Sequence, residues 1–221
     1  MIRNFLLSLF AIGFFFCLNG CLVSKSPKEI VFSDSVDLNK KFGMPINQFD
    51  LIVPASYSHN FQLKLFLAKY DTAFIISPYY NIDSCFKNAS NNLVANQKYS
   101  VSFYPILQTV TSEECIAFLN SQNSVFVNVQ GLTLAWELGN KKFPTDKWIL
   151  SFDEAKNLLK DPNLKYDYHY IPIMGFKHID DMNLEKGLWQ LGYYSFVTHW
   201  KPYFAYLISF KLKPETTINI E

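Results

Sequence analysis

The chain has 221 residues, enough for one medium-sized domain, and 49% of them are hydrophobic, which supports a packed core and excludes a disordered chain. Its formal charge is only +1 and its single arginine, Arg3, lies at the very start, so it lacks the concentrated basic surface and guanidinium forks on which nucleic-acid binding rests. Aromatic residues reach 17%, with 21 Phe and 13 Tyr; such side chains suit pleated, half-buried surfaces, so the composition leans toward sheet.

The first element is a leader. Arg3 gives a short positive start, and Phe5 to Leu18 is a nearly unbroken apolar run of 14 residues. A membrane-spanning helix needs about 20 such residues to cross about 30 Å of hydrocarbon, so the run is short for a span. Its length fits the apolar centre of a secretory signal. Asn19 and Gly20 interrupt any extension into an uncleaved anchor.

Leu18-Asn19-Gly20-Cys21 resembles the lipobox of bacterial lipoproteins, which places an aliphatic residue three before the cysteine and a small residue directly before it. Leu18, Gly20 and Cys21 match; Asn19 is a less usual occupant of the tolerant position. The resemblance covers residues 1–21 alone. It implies that residues 1–20 are a signal peptide, removed after the Cys21 thiol receives a diacylglycerol through a thioether. Each buried methylene contributes about 0.8 kcal/mol, so two or three acyl chains give a lasting hold on the membrane where one would not. Residue 22 is Leu rather than Asp, and by analogy with enterobacterial sorting this implies the outer membrane, facing the periplasm. Without Arg3 the chain carries 19 Lys against 19 acidic residues and is neutral.

Residues 21–47 read as the lipidated cysteine and a polar tether, punctuated by Pro27, Gly43 and Pro45. Residues 48–221 read as one β-rich domain. Short apolar runs predict strands at Asp50 to Val53, at Phe61 to Leu67 (with Phe61, Leu63, Leu65 and Leu67 on one face) and at Thr72 to Ile76. Asn81 to Gln97 reads as a long loop carrying Cys85. Tyr99, Val101 and Phe103 alternate with Ser100 and Ser102 in a further strand. Thr111-Ser112-Glu113-Glu114 has the form of a capping box and predicts a helix to about Leu119 with Cys115 on its first turn. Val125, Val127 and Val129 share one parity and Leu132, Leu134, Trp136 and Leu138 the other, which predicts strand with a bulge or bend at Gly131. Ser151-Phe152-Asp153-Glu154 repeats the capping-box pattern and predicts a second helix ending near Lys160. Tyr166 to Ile171, Leu188 to Thr198 and Tyr203 to Leu212 read as the last strands. Strands dominate and strand–helix units do not alternate, so the expected class is α+β, predominantly antiparallel β, as a sheet or decorated sandwich with two short helices.

After export two cysteines remain, Cys85 and Cys115. In an oxidising compartment such a pair is expected to join, closing a loop of roughly 30 residues worth about 3–4 kcal/mol; the alternative is two buried thiols. No nucleophile elbow, Walker loop or dinucleotide fingerprint occurs, and no cofactor is expected. Ser195 reads as an ordinary strand residue. Of His59, His169, His178 and His199, only His178 has acidic neighbours in sequence, Asp180 and Asp181, and a metal site would need ligands converging from several elements. Glu137 is a conceivable glycosidase carboxylate with no identifiable second member. Trp189, Tyr193, Tyr194, Trp200 and Tyr203 form an aromatic cluster suited either to stacking on a ligand or to the body of a hairpin. Two functions are expected in competition: a lipoprotein that binds an envelope protein partner or serves an envelope structure, and a periplasmic hydrolase acting on cell wall or glycan.

Overall fold

The computed structural model describes residues 38–76, 91–153, 159–160, 169–178, 187–196 and 198–214. The described residues all fall within one compact unit. Cys21, Cys85, Asp180 and Asp181 lie outside the described residues, as does the signal peptide.

Among the described residues there are four α-helices, α1 (Leu38–Lys41), α2 (Gln62–Lys69), α3 (Ser112–Ser121) and α4 (Asn128–Gly139). Eight strands accompany them: β1 (Asn47–Ile52), β2 (Phe74–Ile76), β3 (Lys98–Pro105), β4 (Trp148–Leu150), β5 (Leu159–Lys160), β6 (His169–His178), β7 (Gly187–Ser195) and β8 (Ala205–Leu212). They make one sheet in the order β1-β3-β8-β4-β6-β7-β2, with β5 pairing β6 off this path. The class is α+β as expected, but the sheet is mixed. The pairs β2–β7 and β4–β8 are parallel, and the other pairings are antiparallel.

Apolar cores lie on both faces of the sheet. On the first face, Phe49, Val101, Phe103, Ile208, Phe210, Ile149, Met174 and Leu191 pack beneath α2 and α4. On the second, Leu150, Ile173, Ala205 and Leu207 pack with Cys115, Phe118 and Leu119 of α3. The alternation read from Tyr99, Val101 and Phe103 is therefore correct. It is real, yet β8 is buried on both sides, and Ser100, Ser102 and Ser209 are themselves covered. The capping box also forms: the Glu114 amide donates to Thr111 Oγ1 (3.3 Å) and the Thr111 amide to Glu114 Oε2 (3.0 Å), satisfying the first turn of α3.

Four expectations are corrected. The predicted strand at Phe61 to Leu67 is helix α2. Its run has no β-branched residue, and burial falls on Gln62, Leu63 and Phe66 at helical spacing while Phe61 and Leu65 face solvent. The predicted strands across Gly131 are helix α4. From Asn128 to Trp136 every residue is buried, so no polar stripe betrays the 3.6-residue period. Gly131 is a close approach within that helix, not a bulge: a Cβ there would sit 2.0 Å from Val127 Cγ2. The helix expected after Ser151 lies mostly outside the described residues, but its expected end, Leu159–Lys160, is strand β5, and the Ser151 hydroxyl donates to the Asn128 carbonyl (2.8 Å). Finally, the packed domain starts before residue 48. Phe42 is buried and stacks on Phe118 with ring centroids 4.2 Å apart, and Lys41 bonds Glu114 (2.5 Å), so the end of the expected tether belongs to the fold.

Candidate binding groove

Four described residues other than glycine have positive φ: Asn96, Asn123, Asn128 and Tyr203. Asparagine tolerates the left-handed region; a tyrosine at φ 62 carries a strain of about 1–2 kcal/mol that its surroundings must offset. The Tyr203 amide donates to the Ile106 carbonyl (3.1 Å) and the Phe204 amide to the Lys201 carbonyl (3.3 Å), fixing the turn before β8. The outcome is an aromatic ring held 66% exposed, with the Lys147 ammonium 5.2 Å from its centroid.

Tyr203 borders a groove on the second face of the sheet. A cavity of about 520 Å³ is lined by Asp146, Trp148, Gly175, Gln190, Tyr203 and Phe204. A second, of about 310 Å³, adjoins it across Phe204 and is lined by Tyr194, His199, Trp200 and Lys201. Sheet order brings these residues together: Trp148 lies on β4, Gly175 on β6 and Gln190 on β7, and Gly175 is paired directly with Gln190. A Cβ at Gly175 would stand 2.5 Å from Trp148 Cε3 and 2.9 Å from Cζ3, so the indole lies against bare backbone. Phe204 and Tyr194 are partly exposed, with ring centroids 6.2 Å apart. Beneath them Trp200 is buried, its indole N–H donating to Ser112 Oγ (3.0 Å), whose hydroxyl donates to the Phe196 carbonyl (2.5 Å). This chain of bonds ties the groove wall to the start of α3.

The two charged side chains of the larger cavity, Asp146 and Lys147, both contact Tyr206. Tyr206 Oη donates to Asp146 Oδ2 (3.0 Å), and burial together with that carboxylate pushes the phenol up to about 12. Lys147 Nζ stands 4.7 Å from the Tyr206 ring. The groove thus offers flat apolar surface, an amide, one carboxylate and one ammonium, a set suited to holding a ligand by stacking and hydrogen bonds.

The other predicted site residues lie elsewhere. Among the described residues Cys115 is a free cysteine, buried at the core, and burial raises its pKa well above the ordinary value, which favours the protonated thiol; its expected partner Cys85 lies outside the described residues. Glu137, on α4 against the opposite face of the sheet, is engaged by Lys69 Nζ (2.5 Å), Gln62 Nε2 (3.3 Å) and Tyr70 Oη (3.4 Å). His169 and His178 fall within β6 and Ser195 ends β7, as strand residues. His59 is buried on the first turn before α2. The aromatic cluster divides: Trp189 and Tyr193 pack against the first core and Trp200 sits in the second, while Tyr194 and Tyr203 reach solvent. Sequence reasoning missed Trp148, Gly175 and Gln190. The available signal was a glycine inside the apolar run Ile173-Met174-Gly175-Phe176. Among the described residues no cluster of three or more His, Cys, Asp or Glu could hold a metal, and no helix is long and apolar enough to cross a membrane.

Fold and groove together define an α+β domain with helices on both faces of a mixed sheet and an aromatic trough on one of them. No protein-family model, no curated protein and no solved structure matches the chain.

Proposed function

We propose that this protein is a lipid-anchored component of the bacterial cell envelope, held by acyl chains on Cys21, and that its α+β domain is a binding module for an envelope partner. The leader and its lipobox support the anchor, and Leu22 supports the outer membrane as its place. The observation that carries the binding role is Tyr203: a large ring kept at the surface in a conformation that costs energy, beside the partly exposed Phe204 and Tyr194. Strain of this kind is retained where surrounding structure over-determines it, and exposed tyrosines around a concave centre are common anchors in recognition. A protein partner of the envelope is the class favoured by a tethered domain of this size, with these three rings as its contact points.

The test is retrieval of envelope partners by the full lipidated chain as bait at native expression. Tyr203→Ser keeps the backbone amide that bonds Ile106 and removes the ring. The expected outcome is a specific envelope partner with wild type and its loss, by about tenfold or more, with Tyr203→Ser. Equal recovery by both baits, or a clean wild-type bait, contradicts the binding role.

A further inference from the structure

The larger cavity has a floor that docking of the rim rings leaves unused, and we infer that this trough is a subsite for an uncharged sugar ring of an envelope glycan. The inference rests on the reading of this face as the binding face and specifies what its floor takes. Three observations point the same way. First, the Trp148 indole lies across the bare backbone of Gly175, close enough that a single added Cβ would meet ring atoms at 2.5–3.0 Å. This gives a flat aromatic platform on a rigid strand. Second, Gln190 is the register partner of Gly175 and lines the same cavity, and its side-chain amide has no hydrogen-bond partner among the described residues. A planar amide with one donor and one acceptor side, set beside an aromatic platform, matches the adjacent hydroxyls of a pyranose whose C–H face rests on the ring. Third, Asp146 and Lys147 are opposite in sign and both are engaged with Tyr206, so the trough has no net charge to attract an ion. The ligand is therefore neutral, and the second Asp146 oxygen remains for another hydroxyl. The volume of about 520 Å³ admits one or two such rings, and the adjoining cavity of about 310 Å³ beyond Phe204 extends the path for a chain of them.

The experiment uses the full lipidated chain in a zwitterionic detergent without sugar headgroups, titrated with uncharged oligomers of N-acetylglucosamine and of glucose. Binding is read by calorimetry and by tryptophan emission. Wild type is expected to bind at least one of the two oligomers saturably. Gln190→Leu removes the amide at similar volume and is expected to weaken binding at least about tenfold, with circular dichroism unchanged. Asp146→Asn, which keeps an acceptor for Tyr206, provides a second variant with an expected milder loss. No saturable binding of either oligomer by wild type, or equal binding by wild type and both variants, overturns the inference. If sugar fails to bind while Tyr203→Ser still releases a protein partner, a protein side chain fills the trough: the sugar subsite is lost and the docking role stands. If both readouts fail, both readings fall.

Discussion

Alanine at Asn128 is expected to lower the free energy of unfolding by about 2–5 kcal/mol, in the upper range for a single substitution. Asn128 is fully buried at the start of α4, with φ 51. Its side chain accepts from the Val129 amide (2.7 Å) and donates to Asp153 Oδ2 (3.3 Å), while its carbonyl accepts from Ser151 Oγ (2.8 Å). Two separate terms follow. The left-handed backbone costs alanine about 1–2 kcal/mol, and loss of the side-chain bonds inside the core costs about 1–3 kcal/mol. Asn128→Gly removes the second group of contacts and spares the backbone, so it should be about 1 kcal/mol less damaging than Asn128→Ala. Urea denaturation of the three proteins measures both terms. Equal midpoints for the glycine and alanine variants would show that backbone strain contributes nothing here.

The second large effect concerns acid. His59 is buried, its Nδ1 lies 2.8 Å from Tyr57 Oη, and its Nε2 has no hydrogen-bond partner among the described residues. Desolvation disfavours the imidazolium and lowers the pKa from 6.5 to about 4. The folded pKa lies below the unfolded one, so between these values the unfolded chain binds the proton first. Stability associated with neutral His59 is thus present in full above about pH 6.5 and is lost as pH falls toward about 4. Wild type should unfold at clearly lower urea at pH 4.5 than at pH 7.5. His59→Phe, which cannot titrate, should lose markedly less over the same interval. Parallel acid sensitivity in both proteins would remove His59 as its source.

These sites show where sequence carries structural information and where it does not. Period-two alternation at Tyr99 to Phe103 and at Tyr206 to Phe210 identifies strands because one parity meets the helices of the first face. The Thr111–Glu114 box identifies α3 because capping is a contact within four residues. Helix α4 is hidden because it is enclosed from Asn128 to Trp136, so its apolar residues there carry no period; α2 is hidden because eight residues with four large apolar side chains also satisfy an alternating template. The aromatic cluster was visible as composition. Which of its rings face solvent depends on parity along β7 and on a strained turn, and neither is written in the local pattern. Trp148, Gly175 and Gln190 meet only through the order β4-β6-β7, a long-range property of the sheet. The wider burial of Ser100, Ser102 and Ser209 likewise reflects what lies across that sheet rather than the serines themselves.

The proposed membrane anchor is tested most directly by the mass and label of the mature protein isolated from membranes of cells fed radiolabelled palmitate. The expected result is a chain beginning at Cys21, heavier than its sequence by two or three acyl groups, carrying label that vanishes when Cys21 is replaced by serine. A mature chain that retains residues 1–20, or one that takes up label equally well with serine at that position, would contradict it.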